Sequence, residues 1–179
     1  MIARRSAVLV ATVTLAVALS ACTPAAAPTP TPSPTGFASK EEAFAAAEAT
    51  YRAYVDALNK VDLSDPATFE PVYALLDGSA LNGSKKELTN LHAELLEKRG
   101  VTKVKKINRV NADPETSTVT VNVCLDVTDV DIVDASGSSV VPEGRNDRQL
   151  LAIELTKNPS APRQLVISQS EALSDQPCG

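Results

Sequence analysis

The spacing of apolar residues changes from three-and-four to two at Gly100, and this change constrains the fold more than any single motif. Upstream, Phe44, Ala47, Tyr51, Tyr54, Val55 and Leu58 trace one face of a helix that opens at the capping box Ser39-Lys40-Glu41-Glu42. Asp65-Pro66 caps and opens a second, shorter helix with Phe69, Val72, Tyr73 and Leu76 on its buried face, and Gly78 is expected to stop it. Ser84-Lys85-Lys86-Glu87 is another capping box. It predicts a third helix with Leu88, Leu91, Leu95 and Leu96 inward and Gly100 as the stop. Downstream four strands are expected, over 102–111, 118–127 with an extension toward Val133, 150–155 and 164–170. In the second of these, Val119, Val121, Val123, Leu125 and Val127 alternate with Thr118, Thr120, Asn122, Cys124 and Asp126, so one face is apolar and Cys124 lies on the other. Helices followed by strands predict an α+β domain with three helices covering one face of a four-stranded antiparallel sheet. Three Phe, three Tyr and no Trp make its core aliphatic.

The first 21 residues are of a different kind. Arg4 and Arg5 precede an apolar run, Ala7 to Leu19, that is too short for a bilayer span, and small residues follow. Leu19-Ser20-Ala21-Cys22 resembles the lipobox of bacterial lipoproteins. The resemblance implies a signal peptide over 1–21, a diacylglycerol group on the Cys22 thiol and a chain anchored on the outer face of the cytoplasmic membrane. The alternative is a plain secretory signal cut near Ala21 with Cys22 left free. Arg4-Arg5 lacks the rest of a twin-arginine pattern, which favours general secretion. Residues 22–36 then form a linker with prolines at 24, 28, 30, 32 and 34, a composition that favours extended polyproline II. Thr23 to Thr35 would reach about 40 Å at about 3.1 Å per residue, holding a single domain, 37–179, clear of the headgroups.

Loss of Arg4 and Arg5 takes the formal charge from −5 to −7, which excludes general electrostatic binding of nucleic acid. With Cys22 lipidated, Cys124 and Cys178 remain as an even pair outside the cytoplasm and read as a disulfide closing a long loop, worth roughly 4 kcal/mol. Free or metal-binding thiols are the rival. One His and no C-x-x-C spacing speak against zinc. A tail pinned at Cys178 should fold back across the outer sheet face and cover Thr120 and Asn122.

The order of elements resembles the NTF2-like (cystatin-like) superfamily, in which a curved sheet wraps a long first helix. The lipobox, the Pro/Thr linker, the two downstream cysteines and the stretches Val123-Cys124-Leu125-Asp126-Val127 and Asp131-Ile132-Val133-Asp134 resemble actinobacterial envelope lipoproteins. The superfamily includes isomerases, dehydratases, carriers and interaction modules, so the likeness implies a fold and leaves function open. It also implies a helix-sheet cavity, for which Tyr51, Tyr54, Asp56 and Tyr73 are candidates, with Asp56 as base and a tyrosine as donor.

His92, the only histidine, flanks the third helix's stripe, where a boundary or exposed position is the ordinary outcome. Asp126, Asp129, Asp131 and Asp134 offer oxygen enough for calcium, but their spacing is not that of an EF-hand and alternates as a solvated strand face would. Lys85 to Arg109 holds eight basic and three acidic residues. Lys103, Lys105 and Arg109 are expected on one side of the first strand, facing an anionic partner, or else guarding an edge and pairing with the acidic strand beside it. No nucleotide loop, nucleophile elbow or H-E-x-x-H motif is present, and no cofactor is expected. The expected function is a lipid-anchored, non-catalytic binding domain that meets an envelope protein or an anionic envelope component. An NTF2-like enzyme or small-ligand carrier is the alternative, and a prophage-encoded surface lipoprotein that blocks phage entry is another.

Overall fold

Ser39 caps the first helix as its sequence requires. In a computed structural model, which describes residues 36–113, 115–161, 163–173 and 178, the Ser39 hydroxyl accepts from the Glu42 amide at 3.1 Å and the Glu42 carboxylate accepts from the Ala38 amide at 2.7 Å. Helix α1 runs Lys40–Asn59 and buries Ala43, Ala47, Thr50, Tyr51 and Val55. The Asn59 side-chain amide both donates to and accepts from the Thr102 backbone, which fixes the end of α1 to the chain entering the sheet.

The next two helices differ from expectation. Asp65 caps Pro66–Phe69, but that segment is a 3-10 turn, followed by the single-turn helix α2, Glu70–Tyr73. Pro71 supplies no amide for the turn before it, so one continuous helix cannot form. Helix α3 spans Gly78–Ala93, six residues earlier than the Ser84 capping box and ending before Gly100. Gly78 starts this helix. It takes φ +53°, and a Cβ there would sit 3.1 Å from the Ser168 carbonyl. The Asp77 carboxylate accepts from the Gly78 amide at 2.7 Å, the Asp77 amide donates to the Ile167 carbonyl at 2.9 Å and the Ile167 amide donates to the Leu75 carbonyl at 2.9 Å. A tertiary contact, not the local motif, sets the start of α3.

Among the described residues six strands form where four were expected. The long ones are β2 Lys103–Asp113, β3 Thr118–Asp126, β5 Arg148–Lys157 and β6 Leu165–Ala172, antiparallel in the order β2-β3-β5-β6. Strands β1 Glu97–Arg99 and β4 Asp131–Val133 make a separate antiparallel pair. The second expected strand therefore does not run on to Val133. Asp126 accepts from both the amide and the hydroxyl of Thr128, a side-chain turn that ends β3. Gly100, expected as a helix stop, turns the chain from β1 to β2 at φ +72°, where a Cβ would collide with the Asp129 carbonyl.

Val119, Val121, Val123, Ile153, Leu155, Leu165 and Ile167 form the buried sheet face, and Ala43, Ala47, Tyr51, Val55, Phe69, Val72 and Leu88 cover it. Each fully buried aliphatic side chain contributes roughly 1.5–3 kcal/mol relative to exposure, so this interface dominates stability. Cys124 faces away from these valines and is bonded to Cys178, Cα–Cα 5.4 Å. Residues 174–177, expected to cover Thr120 and Asn122, lie outside the described residues. Cys178 sulfur lies 3.3 Å from the Gln149 carbonyl, beside Leu125, while Thr120 lines a separate recess with Glu154 and Gln169. No described helix is long and apolar enough to cross a membrane. The signal peptide, Cys22 and the linker as far as residue 35 lie outside the described residues.

Candidate functional site

Small residues on the first two turns of α3 leave a gap against α1 and the sheet. Ser79, Ala80, Gly83 and Ser84 face Tyr51 and Tyr54 of α1 and Ile153, Ile167 and Ser170 of the sheet across a cleft of about 220 Å³, with Glu87 at its rim. A Cβ on Gly83 would meet nothing within 4 Å, so the helix keeps this space open by composition. The two tyrosine rings stand 5.7 Å apart at 53°. Burial raises the Tyr51 phenol well above its ordinary value. Burial, with Glu87 nearby, pushes Tyr54 up to about 12. Both are neutral hydrogen-bonding groups near pH 7 and neither is a base.

The cleft brings together two of the four expected cavity residues. Asp56 is exposed on α1, because five residues of helix rotate it by about 140° from Tyr51. Tyr73 lies outside the cleft beneath the Lys85 ammonium, 5.4 Å from its ring centre. Ser79, Ser84 and Glu87 were not anticipated. The run Gly78-Ser79-Ala80 with Gly83-Ser84 was the available signal, since consecutive small residues on a helix face cannot fill the space beside it.

His92 is half-buried and structural. Its Nδ1 donates to the Leu63 carbonyl at 2.7 Å, and its ring stands edge-on to Phe69 at 6.3 Å, which ties α3 to the loop after α1. The four aspartates do not converge. Asp126 accepts from Thr128, Asp129 pairs with Lys103 at 2.5 Å, Asp131 accepts from Ser139 and Asp134 from Ser136. Among the described residues no group of His, Cys, Asp or Glu is placed to hold a metal. Hydrogen bonds from Thr128, with Arg148 and Lys105 nearby, hold the Asp126 carboxyl below its usual range, and Ser136 and Ser138 do the same for Asp134.

The basic residues of β2 do not share a side. Register shifts leave Lys105 and Val110 as extra residues in β2, so Lys103 pairs opposite Asp126 on the outer face while Arg109 pairs opposite Val121. Arg109 stacks over the Phe44 ring at 5.3 Å on the helix side. Two bulges and a row of lysines on an edge strand are what guards an edge against mispairing.

No family model matches the chain, and no curated protein does. Among solved structures it resembles a protein from Novosphingobium aromaticivorans proposed to be an aromatic ring hydroxylase, with TM-score 0.52 and 12% identity over 75% of this chain and 90% of that one. At this identity the likeness concerns fold alone. The fold is α+β and NTF2-like, a curved four-stranded antiparallel sheet covered by three helices.

Proposed function

We propose that this protein is a lipid-anchored, extracytoplasmic, non-catalytic binding domain of the cell envelope. The observation that carries the reading is the composition of the cleft: neutral phenols and serine hydroxyls line it, Glu87 is its one carboxylate and stands at the rim, and Asp56, the expected base, is placed elsewhere. General acid–base chemistry needs a proton acceptor within hydrogen-bond reach of the reacting atom. The Cys124–Cys178 bond supports an oxidising compartment. The partner is an envelope protein or an anionic component of the envelope, reached from the end of the proline-rich tether. A second reading, a carrier of a very small polar ligand, is favoured by the hydroxyls of the cleft. At about 220 Å³ it falls below the roughly 300–1,000 Å³ of ordinary ligand pockets.

The anchor is tested by Cys22→Ser. Acylation requires the thiol, so the variant should leave the membrane fraction and lose the mass of the lipid. Unchanged partitioning and mass would end the lipoprotein reading. Crosslinking in intact envelopes, compared between the anchored and the Cys22→Ser forms, then tests whether anchoring brings the domain to a particular neighbour.

A further inference from the structure

The cleft between α1, α3 and the sheet is lined by polar groups that the protein leaves unpaired. Tyr51 is 1% exposed, yet its hydroxyl has no hydrogen-bond partner among the described residues, and the cleft is the space it borders. A phenol buried so deeply is ordinarily paired. The Ser84 hydroxyl and the Glu87 carboxylate line the same cleft and make no hydrogen bond or ion pair among the described residues either. Both belong to the Ser84-Lys85-Lys86-Glu87 capping box. Because α3 starts at Gly78, that motif lies inside the helix, where the backbone amides are already bonded. Its hydroxyl and carboxylate therefore stand on one helix face with nothing to cap.

Charge narrows what could pair with them. Glu87 is the one charged residue that lines the cleft. Lys85, two residues before it, holds its ammonium over the Tyr73 ring instead. Burial first, and the Glu87 charge second, raise the Tyr54 phenol, so carboxylate and phenol stand close. An anion would meet that carboxylate with no cation in the lining to offset it. A hard metal cation takes about six to eight oxygens, and no group of three metal-ligating side chains is present among the described residues. A quaternary ammonium has no N–H and would leave the Tyr51 hydroxyl unpaired. The remaining wall is apolar, formed by Leu76, Ile153 and Ile167.

We infer that the cleft takes a small primary ammonium ion with a short alkyl tail. The ammonium donates to the Glu87 carboxylate and to the free oxygens of Tyr51 and Ser84, and the tail lies against Leu76, Ile153 and Ile167. A volume of about 220 Å³ admits a tail of only a few carbons. This rests on the carrier reading, to which it adds a charge and a shape, and it is independent of the anchor.

The probes are propylammonium, 1-propanol and propionate, which are close in size and differ in charge. Each is titrated into the isotope-labelled full-length protein in a nonionic detergent, and the amide chemical shifts of residues 79–87 are followed at constant ionic strength. Propylammonium should shift these amides and bind about tenfold or more tightly than propanol, with no response to propionate. Glu87→Gln should weaken it about fivefold or more and remove its dependence on salt. Tyr51→Phe should weaken it by about the same factor while Tm holds or rises, because the hydroxyl it removes has no partner to lose. Gly83→Leu should fill the cleft and abolish binding, and since leucine is the better helix former the loss cannot be ascribed to unfolding. Propanol that binds as tightly would keep the carrier reading and overturn the ammonium assignment. Silence with all three probes would overturn both. Tetramethylammonium that matches propylammonium would overturn the assignment in favour of a cage of ring faces, and wild-type binding by Tyr51→Phe or Gly83→Leu would overturn it by placing the site elsewhere.

Discussion

At its first turn α3 meets β6 through a left-handed glycine, and just past its last turn it presents a left-handed leucine to solvent. Gly78 is held between Asp77 and the Ser168 carbonyl, where a side chain has no room. Leu95 stands at the opposite end with most of its surface in water. Folding explains the first residue, because packing demands the conformation and glycine meets it without strain. It does not explain the second, where glycine would serve the fold better. The two recesses beside them differ accordingly: the cleft beside Gly83 is space that small residues leave, while a groove of about 550 Å³ between Leu63 and Leu95 is edged by a side chain that the fold does not require.

The comparison can be tested by perturbing each end and a control site. The largest effect is expected at the control. Cys124→Ala with Cys178→Ala should cost about 2–5 kcal/mol in denaturant unfolding. Both recesses should survive it, because neither is lined by these cysteines. Alkaline titration probes the cleft end. Tyr51 and Tyr54 have folded-state pKa values raised above the ordinary value near 10, so the stability they lend is complete below pH 10 and is lost as pH climbs toward the folded values. By pH 11 the loss should be about 1–3 kcal/mol, with phenolate absorbance from these two rings appearing together with unfolding. Phenolate formed at pH 10 in the folded state would show that the cleft is open to solvent.

Gly78→Ala should destabilise by about 1–2 kcal/mol, since the new Cβ meets both an unfavourable φ and the Ser168 carbonyl. Leu95→Gly should do the reverse on a smaller scale. Relief of the left-handed strain exceeds the extra entropy of glycine in the unfolded chain, for a net gain of about 0.5–1 kcal/mol. Calorimetry that finds both variants destabilised would erase the contrast between the two ends.

What the sequence discloses divides along the range of the interactions involved. Ser39 and Glu42 act within four residues of each other, and the start of α1 is readable from them. The parity of β3 is equally local, which is why Cys124 could be assigned to the outer face and joined to Cys178. Helix α3 departs from its local signals at both ends. Its start depends on Ile167 and Ser168, and the Ser84 capping box is a valid local signal overruled by that contact. Its end comes at Ala93, so Leu95, which continues the stripe on paper, has already left the helix. In β2 the extra residues Lys105 and Val110 shift the alternation, and the three cations expected on one side separate. Tyr51 and Tyr54 were legible as cavity residues because they share the buried stripe of α1, whereas Asp56 failed on the same helix by simple rotation.

The Ser79–Ser168 hydrogen bond joins positions 89 residues apart, and this sets a timetable for assembly. A chain made from its N-terminus carries α3 long before β6 exists to receive it, and Cys178, the partner of Cys124, follows it by 54 residues. Closing such distant contacts is slow, and until then the aliphatic face of the helices lacks its cover. Any product cut short before β6 therefore has nowhere to seat its third helix and remains a substrate for proteases. Completion of β6 acts as a checkpoint that shorter products do not pass.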